Sequence, residues 1–509
     1  MRASAWSVAL TGIDGVPVEV EAAKGGGIPR TMLVGLPDKA LNEAKERVRA
    51  AVKACDLPWP PQLVTFNLSP ASLPKTGSHF DVAIAAAGMA AERAFPASRL
   101  RDVVLIGELS LDGRVRRVPG VLPAVLAAAK AGFTRVVVPY EQEAEAALVP
   151  GIQATGVDRL DEVVAFLKGK PLPQRAPRSA ADEAPDASAY RPDLAEVVGH
   201  EEGRFVLEVA AAGRHHLYLY GAPGAGKSML ASRLPSILPE LDDAEAVEVS
   251  AIHSLAGIPL DGLIRQPPFA DPHHSVTPAA LVGGGSAQFK PGAISLAHNG
   301  VLFLDECPEF GPKLDALRTP LECGWITINR ARYSARIPAG FQLILAANPC
   351  PCGYHAVAGA QCRCDPLRVR RYQDRVSGPI LDRIDIRHQL TSVNRVLLDI
   401  GLPAPESSAV VRERVLEARD RQRARLRGTP WTTNGEIAGS YLRKELTPAT
   451  DLRLLNEALL RGSISARGVD KVLRVAWTLA DLGGHDRISE RDIRSALLLR
   501  QGAARELAS

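Results

Sequence analysis

Three stretches of the chain are apolar at nearly every position rather than at every second one: Leu217 to Tyr220, Val301 to Leu304 and Phe341 to Ala347. Short unbroken apolar runs that end in Gly, Asn or charged residues predict strands buried on both faces, as in a parallel sheet. Upstream, strand-like segments at Leu63 to Asn67 and Val136 to Pro139 alternate with helical ones at Lys39 to Ala54 and Val121 to Ala131, which predicts a mixed α/β domain. Residues 325–338 alternate with a strand period and break at Arg330-Ala331-Arg332, the pattern of a hairpin with a basic tip. Beyond about residue 393 the pattern is mostly helical and closes with helices over Lys471 to Leu482 and Glu490 to Arg500. Residues 171–192, PLPQRAPRSAADEAPDASAYRP, mix Pro, Ala, Ser and charge without any period and read as an exposed linker. The chain thus divides into an α/β domain over 1–168, a linker over 169–192, a second α/β domain over 193–392 and a helical domain over 393–509.

The chemistry sits where the apolar runs end. Leu217 to Tyr220 leads straight into Gly221-Ala222-Pro223-Gly224-Ala225-Gly226-Lys227-Ser228, a G-x-x-x-x-G-K-S loop in the strand-loop-helix setting that phosphate binding requires. Its glycines let successive backbone N–H groups point inward at an anion, and a helix from Ser228 to Ile237 adds the positive end of its dipole. Lys227 can reach the β and γ phosphates and Ser228 can ligate magnesium, so the loop predicts ATP and Mg²⁺ as ligands. The run Val301 to Leu304 ends in Asp305 and Glu306, at the carboxyl edge of the expected sheet, where ligands bind in open α/β folds. Asp305 is expected to hold the metal and Glu306 to orient the attacking water. The third run ends in Asn348, which can donate to a γ-phosphate and accept from water.

Composition changes this picture little. A chain of 509 residues suggests about three domains. No apolar stretch approaches the ~20 residues needed to span a bilayer, the Ala-rich run from Val82 to Ala91 included. The first thirty residues carry acidic side chains and no apolar signal core, so a cytoplasmic location is expected. A net charge of +4 is too small to imply nucleic acid by itself. Of seven cysteines, Cys350, Cys352, Cys362 and Cys364 form C-x-C-x₉-C-x-C, two thiol pairs that a short loop can bring together around zinc, with His355 as an alternative ligand. The adjacent His273 and His274 are poorly placed to chelate, because neighbouring side chains on extended backbone point apart. Residues 411–427 hold seven arginines against three acids and read as a solvated, salt-bridged helix. Arg363, Arg368, Arg370, Arg371 and Arg375 form a second basic cluster with few acids nearby, a candidate for phosphate contact.

Together with the two nucleotide motifs, the segments FADPHHSVTPAAL (269–281), Gly283 to Ser286, PGAISLAHNG (291–300), NPCPCG (348–353) and SGPILDRID (377–385) closely resemble the YifB/ComM family of magnesium-chelatase-like AAA+ ATPases, over nearly the whole chain. The resemblance implies an AAA+ P-loop core with a helical lid. It also implies that Asn348 is the sensor-1 residue, that Arg383 is an arginine finger acting on a neighbouring subunit, and that Arg467 is the sensor-2 arginine brought to the nucleotide by the lid. A finger supplied in trans implies a homo-hexameric ring. Residues 253–300 correspond to a helix-2 insertion, and it and the 325–338 hairpin are expected to face the pore. Lys290, Arg330 and Arg332 are thereby candidate DNA contacts.

Residues 74–81, 105–115 and 119–128 resemble the Lon-type proteolytic fold. His79 stands where that family places its serine, with Ser78 one residue away, and Leu122 stands where it places its lysine. Without a lysine base a hydroxyl nucleophile is not activated, so the domain is expected to be proteolytically inactive. The resemblance implies an ATP-hydrolysing motor acting on branched or single-stranded DNA, a branch-migration helicase in recombination or natural transformation. A magnesium-chelatase motor subunit and an ATP-dependent protein remodeller are the competing expectations.

Overall fold

The computed structural model describes residues 2–35, 39–73, 75, 77–175, 192–284, 289–330, 333–355, 361–391, 405–447, 452–462 and 464–502. Most of the expected linker and the start of the expected helical domain lie outside these residues.

The amino-terminal domain is a seven-stranded mixed sheet in the order 31–34, 64–69, 14–24, 2–11, 103–105, 135–139, 153–157. Its long strands Arg2–Thr11 and Asp14–Lys24 pair antiparallel through a tight turn at Gly12. The Ala-rich run forms the helix Asp81–Ala91, buried at every position, which is what a helix apolar on all sides requires. Among the described residues no helix is long and apolar enough to cross a membrane.

The second domain carries a five-stranded, all-parallel sheet in the order 269–270, 301–304, 342–347, 217–221, 386–390. Its central strands are buried on both faces, the reason their sequences are apolar throughout. Val301, Phe303, Ile344 and Ala346 face the core shared with the helical lid, while Leu302, Leu304, Leu343 and Leu345 face a second core with Phe310 and Ile326. The helix expected over 228–237 is two short helices, Lys227–Ala231 and Leu234–Ile237, with Pro235 in the first turn of the second. The lid packs Ser408–Arg425 and Ala466–Leu482 against the sheet's own helix Glu201–Gly213, and Glu490–Gln501 against Ala466–Leu482 and the edge strand 386–390. The first of these is less solvated than its composition predicts. Arg414 clamps Glu208 and Glu406, Arg419 donates to the Ala211 carbonyl, and Arg425 pairs with the buried Asp481 at 2.6 Å.

The amino-terminal domain is seated on the ATPase domain through the helix Asp243–Leu255. Gly120 N–H donates to the Ser254 carbonyl at 2.9 Å, and the buried Glu145 accepts from both Ser254 Oγ and Leu122 N–H. Strand 2–11 also meets the hairpin strand Tyr333–Pro338, where Gly12 lies against the Arg336 carbonyl.

Candidate nucleotide site

The phosphate loop closes through backbone conformations that few residues adopt. Gly224 and Gly226 have φ of 75° and 84°, and a Cβ on Gly221 would lie 2.3 Å from the Leu390 carbonyl of the adjacent strand. Lys227 is nearly buried, and its Nζ donates to the carbonyls of Gly221 (2.9 Å) and Ala222 (3.0 Å) and to Asn348 Oδ1 (2.9 Å). Burial pushes its ammonium below the ordinary lysine pKa, against the pull of Asp305 and Glu306. Ser228 Oγ donates to Asp305 Oδ2 at 2.5 Å, and Asp305 Oδ1 accepts the Glu306 N–H at 2.8 Å. A hydroxyl and a carboxylate oxygen side by side at a phosphate loop are the protein's share of an octahedral Mg²⁺ shell, so the residues fit the ion. Glu306, left-handed at φ 49°, carries a half-exposed carboxylate beside them. Gly221 to Ser228, Asp305, Glu306 and Asn348 thus converge at the carboxyl edge of the sheet.

The two arginines do not join them. Arg383 precedes the strand Ile386–Leu390, at the opposite, amino edge. There it lines a cavity of about 700 Å³ with Arg214, Asn299, Glu322, Arg467 and Lys471. Arg383 is held by Glu322 and by the Pro379 carbonyl (2.6 Å), rather than by the neighbouring Asp382 or Asp385. Asp385 takes Lys471 instead, at 2.8 Å. Burial raises the Asp385 pKa, but Lys471 and the surrounding bases override it and hold the carboxyl well below its usual range. Arg467 is exposed at the start of the helix Ala466–Leu482. The lid therefore presents Arg467 beside Arg383, at the edge of the sheet opposite its own phosphate loop. The intervening five-residue strand is about 16 Å long.

The four clustered cysteines come together, their sulfurs all within 4.8 Å of one another. Cys350 and Cys352 are 3.2 Å apart, and Cys362 lies 3.7 and 3.6 Å from them. Sulfurs at tetrahedral corners about 2.3 Å from a zinc ion are separated by about 3.8 Å, so the set fits that metal. Backbone N–H groups of Arg363 and Tyr354 draw the Cys352 thiol down to about 6. His355 is exposed and outside the group. The cluster abuts the phosphate loop: a Cβ on Gly353 would lie 2.5 Å from the Pro223 ring.

Among the DNA candidates, Lys290 is exposed on the short strand Lys290–Pro291. The expected hairpin forms from Trp325–Arg330 and Tyr333–Pro338. Arg332 lies outside the described residues, and only the backbone of Arg330 is within them. Arg363, Arg368, Arg370 and Arg371 are exposed, whereas Arg375 pairs with Glu309 at 2.8 Å. In the amino-terminal domain, Ser78 Oγ donates to Glu108, His79 is tied to the Val8 carbonyl at 2.8 Å, and Leu122 is buried. Two contacts escaped sequence reasoning because nothing local signals them: Glu322 on Arg383, and His274 on Glu306.

Comparison with known proteins places all three parts in one lineage. Residues 193–397 match the model of magnesium chelatase, subunit ChlI; residues 18–142 match subunit ChlI of Mg-chelatase; and residues 405–500 match the ChlI carboxyl-terminal domain. An uncharacterized protein of Mycobacterium tuberculosis (strain H37Rv) is 50% identical over 98% of this chain and 99% of its own. YifB of Escherichia coli K12 is 40% identical over 97% and 96%, and the competence protein ComM of Haemophilus influenzae is 39% identical over the same shares.

Proposed function

The chain belongs to the YifB/ComM family of magnesium-chelatase-like AAA+ ATPases, and from that premise we propose that it is a cytoplasmic, hexameric ring motor that hydrolyses ATP to act on DNA, as a branch-migration helicase in recombination or natural transformation. The observation that carries the ring is the split of the catalytic set: phosphate loop, metal ligands and Glu306 at one edge of the sheet, Arg383 and Arg467 at the other. Heterologous, head-to-tail contacts that close into a ring bring the two edges of adjacent subunits together. In that arrangement both arginines serve the neighbour's nucleotide.

The backbone N–H groups of Gly224 to Ser228 cradle the phosphates, and Lys227 exchanges its carbonyl partners for phosphate oxygens. Ser228 and Asp305 would hold a magnesium ion, which would supply charge neutralisation to the phosphates. Glu306 orients and polarises the water, Asn348 reports the γ-phosphate, and the incoming Arg383 stabilises charge in the transition state. The four cysteines would hold one zinc ion, which would tie Cys350 and Cys352 to Cys362 and Cys364 beside Pro223. The amino-terminal domain acts as a scaffold without peptidase activity.

The DNA assignment draws on the name of the Haemophilus relative, a competence protein, and on the exposed Lys290 at the insertion. ATPase rates measured without DNA and with single-stranded, duplex and four-way-junction DNA test it. Stimulation by any of the three is the expected result. A rate indifferent to all of them overturns the DNA reading in favour of protein remodelling.

A further inference from the structure

Arg383 sits just outside the sheet that would otherwise fix it. The parallel ladder between strands 217–221 and 386–390 begins at Ile386 opposite Leu217, and the N–H groups of Asp385 and Ile386 both donate to the His216 carbonyl. The carbonyls of Arg383 and the buried Ile384 lie beyond that ladder, where an acceptor without a donor is costly. Both are taken by the lid. Lys471 Nζ donates to the Arg383 carbonyl at 2.9 Å, and Arg500 donates to the Ile384 carbonyl. These donors come from two helices, Ala466–Leu482 and Glu490–Gln501, that pack on each other. Lys471 also pairs with the buried Asp385 at 2.8 Å, and the other oxygen of that carboxylate accepts the His216 N–H at 2.8 Å. One turn earlier on the same helix stands Arg467, and both residues line the cavity that holds Arg383.

We propose that Lys471 is a positioning residue for hydrolysis at the neighbouring subunit: it ties the peptide of Arg383 to the helix that carries Arg467, so that the lid presents both arginines to that nucleotide together. The tie is made to the backbone of Arg383 and not to its side chain. Its guanidinium can therefore leave Glu322 and the Pro379 carbonyl for phosphate oxygens while its Cα stays in place. Stabilisation of transition-state charge depends on placement, and a shift of about 1 Å in a catalytic group can lower a rate by on the order of 10². The assignment rests on the reading that Arg383 acts on a neighbour's nucleotide.

ATPase kinetics and fluorescent-nucleotide titration of the full chain test it. Lys471→Met, which keeps the aliphatic stem, is expected to lower kcat by on the order of 10², with nucleotide affinity within about twofold of wild type because the phosphate loop lies at the other edge of the sheet. Adding Asp385→Asn removes the carboxylate that the single change leaves buried and unpaired. This double variant should show the same loss, and it remains readable should Lys471→Met fold poorly. Pairing with Arg383→Ala separates placement from general damage to the lid. If Lys471 acts by placing Arg383, Lys471→Met in the Arg383→Ala background loses nothing further in single-turnover hydrolysis, whereas independent damage multiplies the two losses. In mixed rings, Lys471→Met should partly recover with Lys227→Ala and not with Arg383→Ala, because Lys471 and Arg383 serve the same side of each interface. A kcat within a few-fold of wild type in the double variant overturns the proposal, as does a further loss of about tenfold or more in the Arg383→Ala background, or recovery on mixing with Arg383→Ala. Arg383→Ala that itself turns over at the wild-type rate would sink the reading beneath it, and the proposal with it.

Discussion

At the scale of single residues, Lys227 and Glu306 occupy one edge of one sheet yet are assigned different tasks. Lys227, drawn to two carbonyls and Asn348, is a cation poised for phosphate. Lys227→Ala should therefore lose nucleotide affinity, read by fluorescent-nucleotide titration. Glu306 touches neither the loop nor the Ser228–Asp305 pair with its carboxylate, so Glu306→Gln should bind ATP normally and lower turnover by on the order of 10² or more. Turnover of Glu306→Gln within a few-fold of wild type would remove its assignment. The placement of these residues at one sheet edge was legible in the sequence because the phosphate loop and the strand that ends in Asp305-Glu306 are local patterns, each dictated by backbone geometry. The contacts of His274 and Glu322 were not, because each joins residues about thirty or more positions apart on loops with no period to read. The expectation that the side chains of His273 and His274 point apart did not hold, because the backbone turns there and sets the two ring centroids 4.0 Å from each other.

At the scale of elements, the cysteine loop and the hairpin each make a prediction. The cysteine spacing foretold a cluster, since two C-x-C pairs need only a turn between them to converge. Its placement against Pro223 was hidden, because that depends on how the strand Gln342–Ala347 sits beside the phosphate loop. Elemental analysis should find one zinc per chain, and Cys352→Ser should lower both zinc content and thermal stability. An active, chelator-resistant preparation without zinc would dismiss the site. For the hairpin, the alternation of residues 325–338 anticipated the antiparallel pairing that runs from Trp325 opposite Pro338 to Arg330 opposite Tyr333. Backbone phosphate contacts release counterions, so duplex binding should weaken steeply with salt. Neutralising Arg330 and Arg332 together should reduce the log-log salt slope by about two, with basal ATPase spared, and adding Lys290→Ala should take off about one more. An unchanged slope would show that these side chains do not touch the backbone of DNA.

At the scale of the whole molecule, the decisive feature is one that no segment of sequence could announce: which edge of the sheet each arginine reaches. Resemblance implied that Arg383 acts on a neighbour and that the lid brings Arg467 to the nucleotide, without saying whose; the helix Ala466–Leu482 sets Arg467 in one cavity with Arg383. Mixed rings can tell these arrangements apart. Arg383→Ala alone should fold, bind ATP and lose turnover by on the order of 10³, as expected for an absent finger. Mixed with Lys227→Ala at equal amounts, about a quarter of the head-to-tail interfaces should pair an intact loop with intact arginines, and activity should partly return. The informative mixture is Arg383→Ala with Arg467→Ala. If Arg467 served its own subunit's nucleotide, a loop of the Arg383→Ala chain facing an Arg467→Ala neighbour would have both arginines, and activity would return. With both arginines on the same edge, every interface lacks one of them, so this mixture should stay as inactive as its parents. Recovery in verified mixed rings would place Arg467 with its own phosphate loop and show that the lid moves across the sheet edge when the ring assembles.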